Sequence, residues 1–254
     1  CGAISRRRAV MHPFGTADRR YRYLYKPALF AACLVPLLWV VAGVVGLPVI
    51  GQHLPSLGPD PVRRVLGIFG HTALNMLMLT LAITPLRQLT GQARLLLLRR
   101  MLGLFVFTYA LLHFLWYAGP FQAFSGKAII ADVVKRPYVT IGFTALLLLV
   151  PLAITSTNAM MRRLRRRWHR LHKLIYAIAI LGVWHYWWQV KKDIREPLIY
   201  AGALALLLGW RWWRRPRAAT SKSAPPTVPG TAAAAAPSPG TTRPRYRRYQ
   251  AYSQ

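Results

Sequence analysis

Residues 99–121, RRMLGLFVFTYALLHFLWYAGPF, begin with two arginines and continue to Phe121 without an Asp, Glu, Lys or further Arg. An α-helix rises 1.5 Å per residue, so about 20 such residues cross the roughly 30 Å hydrocarbon core of a bilayer. One histidine, His113, interrupts this apolar run. A histidine at membrane depth is costly unless it has a partner, so the stretch predicts a transmembrane helix that carries a functional side chain.

Similar uncharged runs recur along the chain and predict an all-α, integral membrane bundle of six helices. The predicted spans are about 28–50, 65–86, 101–121, 138–161, 172–190 and 197–213. The sixth run is the shortest, and we expect Arg211 with Trp212 and Trp213 to extend it into the interface. The lipid bilayer is therefore the expected surrounding of most of the chain.

The charge pattern predicts the orientation of the bundle. The chain has 35 Lys and Arg against five acidic residues, and six spans with both ends inside place 27 basic residues in the cytoplasm and 8 outside. This bias follows the positive-inside rule and predicts that both the N- and C-termini are cytoplasmic. The basic residues lie in blocks between apolar runs, so no nucleic-acid partner is expected.

The remaining composition divides the chain into three parts. Residues 1–26 form a basic segment, residues 27–215 contain the spans, and residues 216–254 form a Pro- and Ala-rich tail that is expected to be disordered. Neither Cys1 nor Cys33 belongs to a CxxCH motif, so any haem is expected to be bound non-covalently. A GxGxxG motif after a strand is also absent from the sequence, so no nucleotide-binding dehydrogenase domain is expected.

Three histidines are the candidate ligands of a haem iron. His113 and His185 lie on different predicted spans at similar depth, so their imidazoles are expected to provide both axial ligands of one haem. His172 lies at the cytoplasmic mouth of the fifth span, about 19.5 Å of helix rise from His185, which suits a second haem. In an ideal helix His172 and His185 would lie on different faces, so a bulge or kink is expected between them.

Simpler interpretations of these histidines remain open. His113 and His185 could each be a structural histidine bonded to a neighbouring carbonyl, and His172 a surface residue beside the arginines. His71, near the outer end of the second span, is a candidate third ligand, quinone-site donor or interfacial polar residue.

Several stretches of the chain resemble the MsrQ (YedZ) family within the ferric reductase-like transmembrane superfamily. The resemblance covers about residues 65–215 and is carried by LTLAITPLRQL, RRMLGLFVFTYALLHFLWY, KRPYVTIGFTALLLLVPLAITSTNAMMRRL, WHRLHKLIYAIAILGVWHYWW and EPLIYAGALALLLGW. It implies a haem b protein of the bacterial inner membrane, with one or two haems, whose family ligands correspond to His113, His172 and His185. The more distant oxidases have a further histidine on the same helix, at the position where this chain has Arg99.

The resemblance also implies an electron path. Electrons would come from the quinone pool, directly or through bound FMN, and pass to a periplasmic molybdopterin-containing reductase of the MsrP type, which repairs oxidised methionine. The chain itself would not be the catalytic subunit. Two alternatives are a b-type cytochrome or ferric reductase with another acceptor, and a histidine-dependent membrane transporter.

The predicted orientation can be tested with a reporter fused after residue 215. We expect a cytoplasmic reporter to be active and a periplasmic reporter to be silent, because the basic tail stays inside. A fusion after residue 125, in a predicted outer loop, is the matched control with the opposite result. Periplasmic activity of the fusion after residue 215 would require an odd number of spans.

Overall fold

The computed structural model describes residues 24–45, 59–190 and 193–214. Most of the predicted segment 1–26, residues 46–50 of the predicted first span and the predicted tail 216–254 lie outside the described residues. Within the described ranges the chain forms helices and no strand, which agrees with the predicted all-α class. The helices are α1 (Lys26–Val45), α2 (Pro61–Thr90), α3 (Leu96–Trp116), α4 (Gly126–Lys135), α5 (Pro137–Ile154), α6 (Asn158–Leu164), α7 (Arg166–Leu171), α8 (Leu174–Gln189) and α9 (Arg195–Trp213).

Four of the described helical segments are long and apolar enough to cross a membrane. They are α1, α2, the continuous segment Ala93–Phe121 that contains α3, and α5. The fifth and sixth predicted spans correspond to α8 and α9. Helix α8 has 16 residues, about 24 Å of rise, and α9 includes Arg195, Glu196 and Arg211 within its bounds. Four apolar helices support a membrane protein, while the crossing of α8 and α9 stays a prediction.

The observed helix ends differ from the predicted spans where polar side chains cap the backbone. The predicted fourth span, 138–161, is divided: α5 ends at Ile154 and α6 begins at Asn158. The Thr155 and Ser156 hydroxyls donate to carbonyls of the last turn of α5, and Thr157 accepts from the Met160 N–H to start α6. These local bonds compete with continuation of the helix, so an apolar run alone overestimates its length.

Helix α2 is longer than the predicted span 65–86 for a similar reason. Asp60 accepts a hydrogen bond from the Arg63 N–H at 3.0 Å, and Pro61 occupies the first turn, where its missing N–H costs nothing. Gly91 ends the helix with φ +70°, a left-handed conformation that favours glycine. The 30-residue helix therefore extends beyond the hydrocarbon core at both ends.

Two helix pairs form the centre of the bundle. Helix α2 packs most extensively on α3, and α5 packs most extensively on α8. One buried cluster joins the two pairs and α9, with Leu81, Leu149 and Ile178 among its members. A second cluster joins α1 to the first pair, and in it the Tyr109 hydroxyl donates to the Cys33 carbonyl at 2.5 Å. The molecule thus has two packed helix pairs side by side, with α1 and α9 on the outside.

Arg211 attaches α9 to the rest of the bundle at one end, called the inner end because the charge bias predicts it to face the cytoplasm. Pro85 has no N–H to donate to the carbonyl of Leu81, four residues earlier in α2. The Arg211 guanidinium donates to that carbonyl at 2.9 Å and to the Thr84 hydroxyl at 2.7 Å, and it also donates to the Tyr176 hydroxyl of α8. One side chain therefore satisfies a carbonyl left free by proline and joins three helices.

Replacement of Arg211 by alanine is expected to destabilise the bundle. The Leu81 carbonyl would lose its donor, and a buried unsatisfied polar group costs about 1–3 kcal/mol. Thermal unfolding in detergent, monitored by size-exclusion chromatography, measures the loss of stability. Arg214→Ala is the control, because the exposed side chain of Arg214 lies over the Trp210 ring at 4.8 Å and donates to no carbonyl in the described part of the chain. Equal losses for the two variants would contradict this account.

Candidate haem site

His113 lies in the last turn of α3 and faces α2. Its Nδ1 lies 3.0 Å from the Leu66 carbonyl oxygen of α2. Gly70, one turn further along α2, leaves room for the ring, because a Cβ at this position would lie 3.0 Å from ring atoms of His113. The absence of a side chain at residue 70 therefore lets the imidazole approach the backbone of the neighbouring helix.

His185 has the same arrangement in the second helix pair. It lies near the end of α8, and its Nδ1 lies 2.7 Å from the Tyr138 carbonyl oxygen of α5. A Cβ on Gly142, one turn after Tyr138, would lie 2.7 Å from Nδ1 of His185, closer than real Cβ contacts allow. Glycine is thus required here for the observed position of the ring.

The two arrangements are related by one constant shift along the sequence. Leu66, Gly70 and His113 correspond to Tyr138, Gly142 and His185. The flanking sequences also repeat, since RRVLGIFGHTAL (63–74) resembles KRPYVTIGFTAL (135–146) and HFLW (113–116) resembles HYWW (185–188). The two glycines were not predicted as site residues, and this internal repeat is the sequence signal that identifies them.

The structure brings the predicted pair together. The ring centroids of His113 and His185 lie 6.2 Å apart, with an angle of 86° between the ring planes. A carbonyl accepts only from an N–H, so each Nδ1 carries the proton and each Nε2 has a free lone pair. Neither Nε2 has a hydrogen-bond partner within residues 24–45, 59–190 and 193–214.

The separation of the two ring centroids is the one expected of two imidazoles that bind one haem iron. Metal–imidazole bonds of about 2 Å to each Nε2 place two axial ring centroids roughly 6 Å apart. Among the described residues, no group of three or more His, Cys, Asp or Glu side chains could hold a metal ion without other ligands. A haem needs only two axial ligands from the protein, so His113 and His185 fit it. The simpler interpretation was a structural histidine bonded to a neighbouring carbonyl. That bond is present at both histidines, but it occupies only one nitrogen of each ring.

His172 lies apart from this pair, at the junction of α7 and α8. His172 caps the end of α7. Helix α8 begins at Leu174, and the helix rise from Leu174 to His185 is roughly 17 Å. The His172–Lys173 turn is closed by bonds of the i to i+3 type, so the expected break in the helix is observed.

The His172 ring itself is half-buried and oriented by its neighbour Trp168. The two rings stack with centroids 3.9 Å apart, and Nδ1 lies 3.1 Å from the Trp168 carbonyl oxygen. Its Nε2 is buried without a hydrogen-bond partner in the described part of the chain. A buried nitrogen with a free lone pair suits a ligand of a second iron better than it suits a surface histidine.

A polar cluster beside the histidine pair was not predicted from the sequence. His71 Nδ1 lies 2.7 Å from the Gly67 carbonyl oxygen, and His71 Nε2 lies 3.0 Å from the Tyr186 hydroxyl. That hydroxyl donates to the Glu196 carboxylate at 2.5 Å, and the carboxylate lies 3.5 Å from His71. The cluster joins α2, α8 and α9, so only the packing of α9 reveals it.

Hydrogen-bond counting allows two arrangements of the protons in this cluster. If Nδ1 donates to Gly67 and Tyr186 donates to Glu196, then Nε2 must donate to Tyr186 and His71 is an imidazolium paired with a carboxylate. Reversing the two Tyr186 bonds gives a neutral His71 and a protonated Glu196 with the same number of protons. The cluster can therefore pass a proton between His71 and the exposed Glu196 through one hydroxyl. It is not a further iron ligand, because both His71 nitrogens are occupied.

Comparison with known proteins finds relatives over most of the chain. The sequence profile described as "Ferric reductase like transmembrane component" matches residues 66–183, which include His113 and His172. The chain is 53% identical over 204 residues to the "Protein-methionine-sulfoxide reductase heme-binding subunit MsrQ" of Xanthomonas campestris pv. campestris strain B100, covering 79% of this chain and 93% of that protein. The protein of the same name from Rhodospirillum rubrum is 50% identical over 185 residues, 72% of this chain and 85% of that protein.

The roles of the histidines can be separated by substitution. His113→Ala or His185→Ala is expected to abolish a low-spin haem signal, because the iron would lose one of two imidazoles in a pocket shaped for both. His172→Ala is expected to keep that signal. It is expected to lower the haem content per chain, because the inner haem would lose its ligand. Visible absorption and pyridine haemochrome analysis measure both quantities, with exposed His169→Ala as the control. Loss of all haem in His172→Ala with a normal His185→Ala spectrum would reverse the assignment.

Proposed function

Because the chain belongs to the family of the protein-methionine-sulfoxide reductase heme-binding subunit MsrQ, we propose that it is the haem-carrying membrane subunit of such a reductase. The observation that supports this most strongly is the pair of imidazoles 6.2 Å apart, each with Nε2 free. The proposed cofactor is haem b, bound without a covalent link, and it would supply one-electron transfer between ferric and ferrous iron.

The chain's own residues perform three tasks in this function. The carbonyls of Leu66 and Tyr138 hold each imidazole as the neutral Nδ1–H tautomer, which leaves Nε2 for iron. The packed apolar helices keep water away from the site. His172 is the proposed ligand of an inner haem, because its Nε2 is buried without a hydrogen-bond partner in the described part of the chain.

The proposed electron acceptor is a separate catalytic subunit, a molybdopterin-containing reductase on the periplasmic side. The His113–His185 pair lies where α3 and α8 end and where α5 begins, and the charge bias predicts that these ends face outward. An electron at this haem is therefore close to the outer surface. We place both termini in the cytoplasm on the same bias, and the family to which the chain belongs supports a location in the inner membrane.

The proposed donor is a quinol, and the polar cluster supports it over bound FMN. A quinol is an apolar molecule that loses one proton with each electron, so its oxidation site needs a proton acceptor at membrane depth. Glu196 can accept this proton from the quinol hydroxyl, and its side chain is 65% exposed, so the proton can leave to water before the second transfer. The two electrons of each quinol would need two haems, held by His113 with His185 and by His172, or one haem that the acceptor reoxidises between the two transfers.

Reconstitution in liposomes tests the donor and the acceptor separately. We expect a water-insoluble quinol to reduce the haem of the wild-type protein, and the purified reductase subunit to reoxidise it. Glu196→Gln is expected to slow reduction by quinol at least tenfold while dithionite reduces both proteins equally, because dithionite needs no proton acceptor. Asp193→Asn is the matched control, because it removes a nearby carboxylate whose hydrogen bond is to the Arg195 N–H at 3.0 Å.

Three outcomes would contradict parts of this proposal. A colourless protein from haem-replete cells would exclude a cytochrome and favour the transporter. A red protein that is reoxidised by ferric chelates and not by the reductase subunit would support the alternative acceptor. Equal quinol rates for wild type and Glu196→Gln would exclude Glu196 as the proton acceptor.

A further inference from the structure

We propose that Gly70 and Gly142 are positioning residues that fix the rotation of the two axial imidazoles and hold their planes nearly perpendicular on the iron. The inference rests on the proposed function, because it requires a haem between His113 and His185. The angle between the rings is 86° in the structure. The two glycines would therefore determine the electronic state of the iron without touching it.

Each imidazole is held at two points of one helix surface. For His113 these points are the Leu66 carbonyl, 3.0 Å from Nδ1, and the bare Cα of Gly70 one turn later, where a Cβ would lie 3.0 Å from Nδ1 and Cε1. The hydrogen bond fixes the direction of Nδ1, and the glycine surface limits rotation about that direction. The two contacts together restrict the orientation of the ring.

His185 is held more tightly by the second helix pair. Its Nδ1 lies 2.7 Å from the Tyr138 carbonyl, and a Cβ on Gly142 would lie 2.7, 2.8 and 3.2 Å from Nδ1, Cε1 and Cγ. The two rings thus take their orientation from different helices, α2 and α5. The angle between them is set by the packing of the bundle, so it does not depend on a preference of the iron.

The angle between the planes has a direct electronic consequence. Each imidazole π system interacts with the iron d orbital perpendicular to its own plane. Parallel rings act on the same d orbital and separate the energies of two otherwise equivalent orbitals, whereas perpendicular rings act on one each and leave them nearly equal. Low-spin ferric haem with perpendicular rings gives a highly anisotropic electron paramagnetic resonance (EPR) signal, while parallel rings give a rhombic signal with three resolved lines. Axial-ligand arrangement is one of the means by which a protein tunes its haem.

The chain provides matched controls for a substitution at either glycine. A Cβ added at Gly103 of α3, or at Gly202 of α9, would meet no atom within 4 Å. An alanine at these positions changes helix propensity in the same direction as at Gly70 and Gly142, and it creates no contact with a ring. Any spectral difference between the two kinds of variant therefore reports the contact and not the loss of glycine.

The experiment is low-temperature EPR of the ferric holoprotein for wild type, Gly70→Ala, Gly142→Ala, Gly103→Ala and Gly202→Ala. The signal examined is the one that His185→Ala removes. We expect a highly anisotropic signal in wild type and in both controls. In Gly142→Ala we expect conversion to a rhombic signal, because the contact at 2.7 Å forces the ring to rotate. Gly70→Ala, with contacts at 3.0 Å, is expected to give a smaller shift in the same direction.

Each other outcome would overturn a defined claim. A rhombic wild-type signal with haem bound would overturn the perpendicular arrangement and leave the proposed function intact. An unchanged anisotropic signal in both glycine variants would overturn the positioning role. If Gly142→Ala does not fold, the wild-type signal and the milder Gly70→Ala variant still decide the question. Absence of haem from the wild-type protein would overturn the proposed function instead.

Discussion

The candidate haem site depends on one interaction, the hydrogen bond from an imidazole Nδ1–H to a backbone carbonyl of the neighbouring helix. It occurs twice, from His113 to Leu66 at 3.0 Å and from His185 to Tyr138 at 2.7 Å. In a bilayer, a polar ring without a partner is costly, so this bond makes burial of the histidine acceptable. It also selects the tautomer whose remaining nitrogen can bind a metal.

This bond requires that a ring reach the backbone of another helix, and glycine makes that approach possible. Gly70 and Gly142 occupy the same place in two helix pairs whose sequences repeat. The repeat explains why the two imidazoles have similar depth and equivalent bonds. A site between two related helix pairs provides one axial ligand from each, so the haem would join the two halves of the bundle.

The elements with local signals could be predicted from the sequence. Apolar runs long enough to cross a bilayer require helices there. The pairing of His113 with His185 was predicted from their similar depth on different spans, and the structure places the rings 6.2 Å apart, while iron ligation stays a prediction. A bulge or kink between His172 and His185 was also expected, because an ideal helix would place their rings on different faces, and the turn at His172–Lys173 interrupts the helix before α8. The end of α5 at Ile154 was not predicted, since hydroxyl groups decide it. The His71–Tyr186–Glu196 cluster was missed because its members lie on three helices whose packing no local pattern specifies.

The most direct test of the account is the position of the iron in an experimental structure of the purified holoprotein. We expect one iron between Nε2 of His113 and Nε2 of His185, with both Nδ1 atoms still bonded to the carbonyls of Leu66 and Tyr138. An iron bound by only one of these histidines, or bound through Nδ1, would contradict the account.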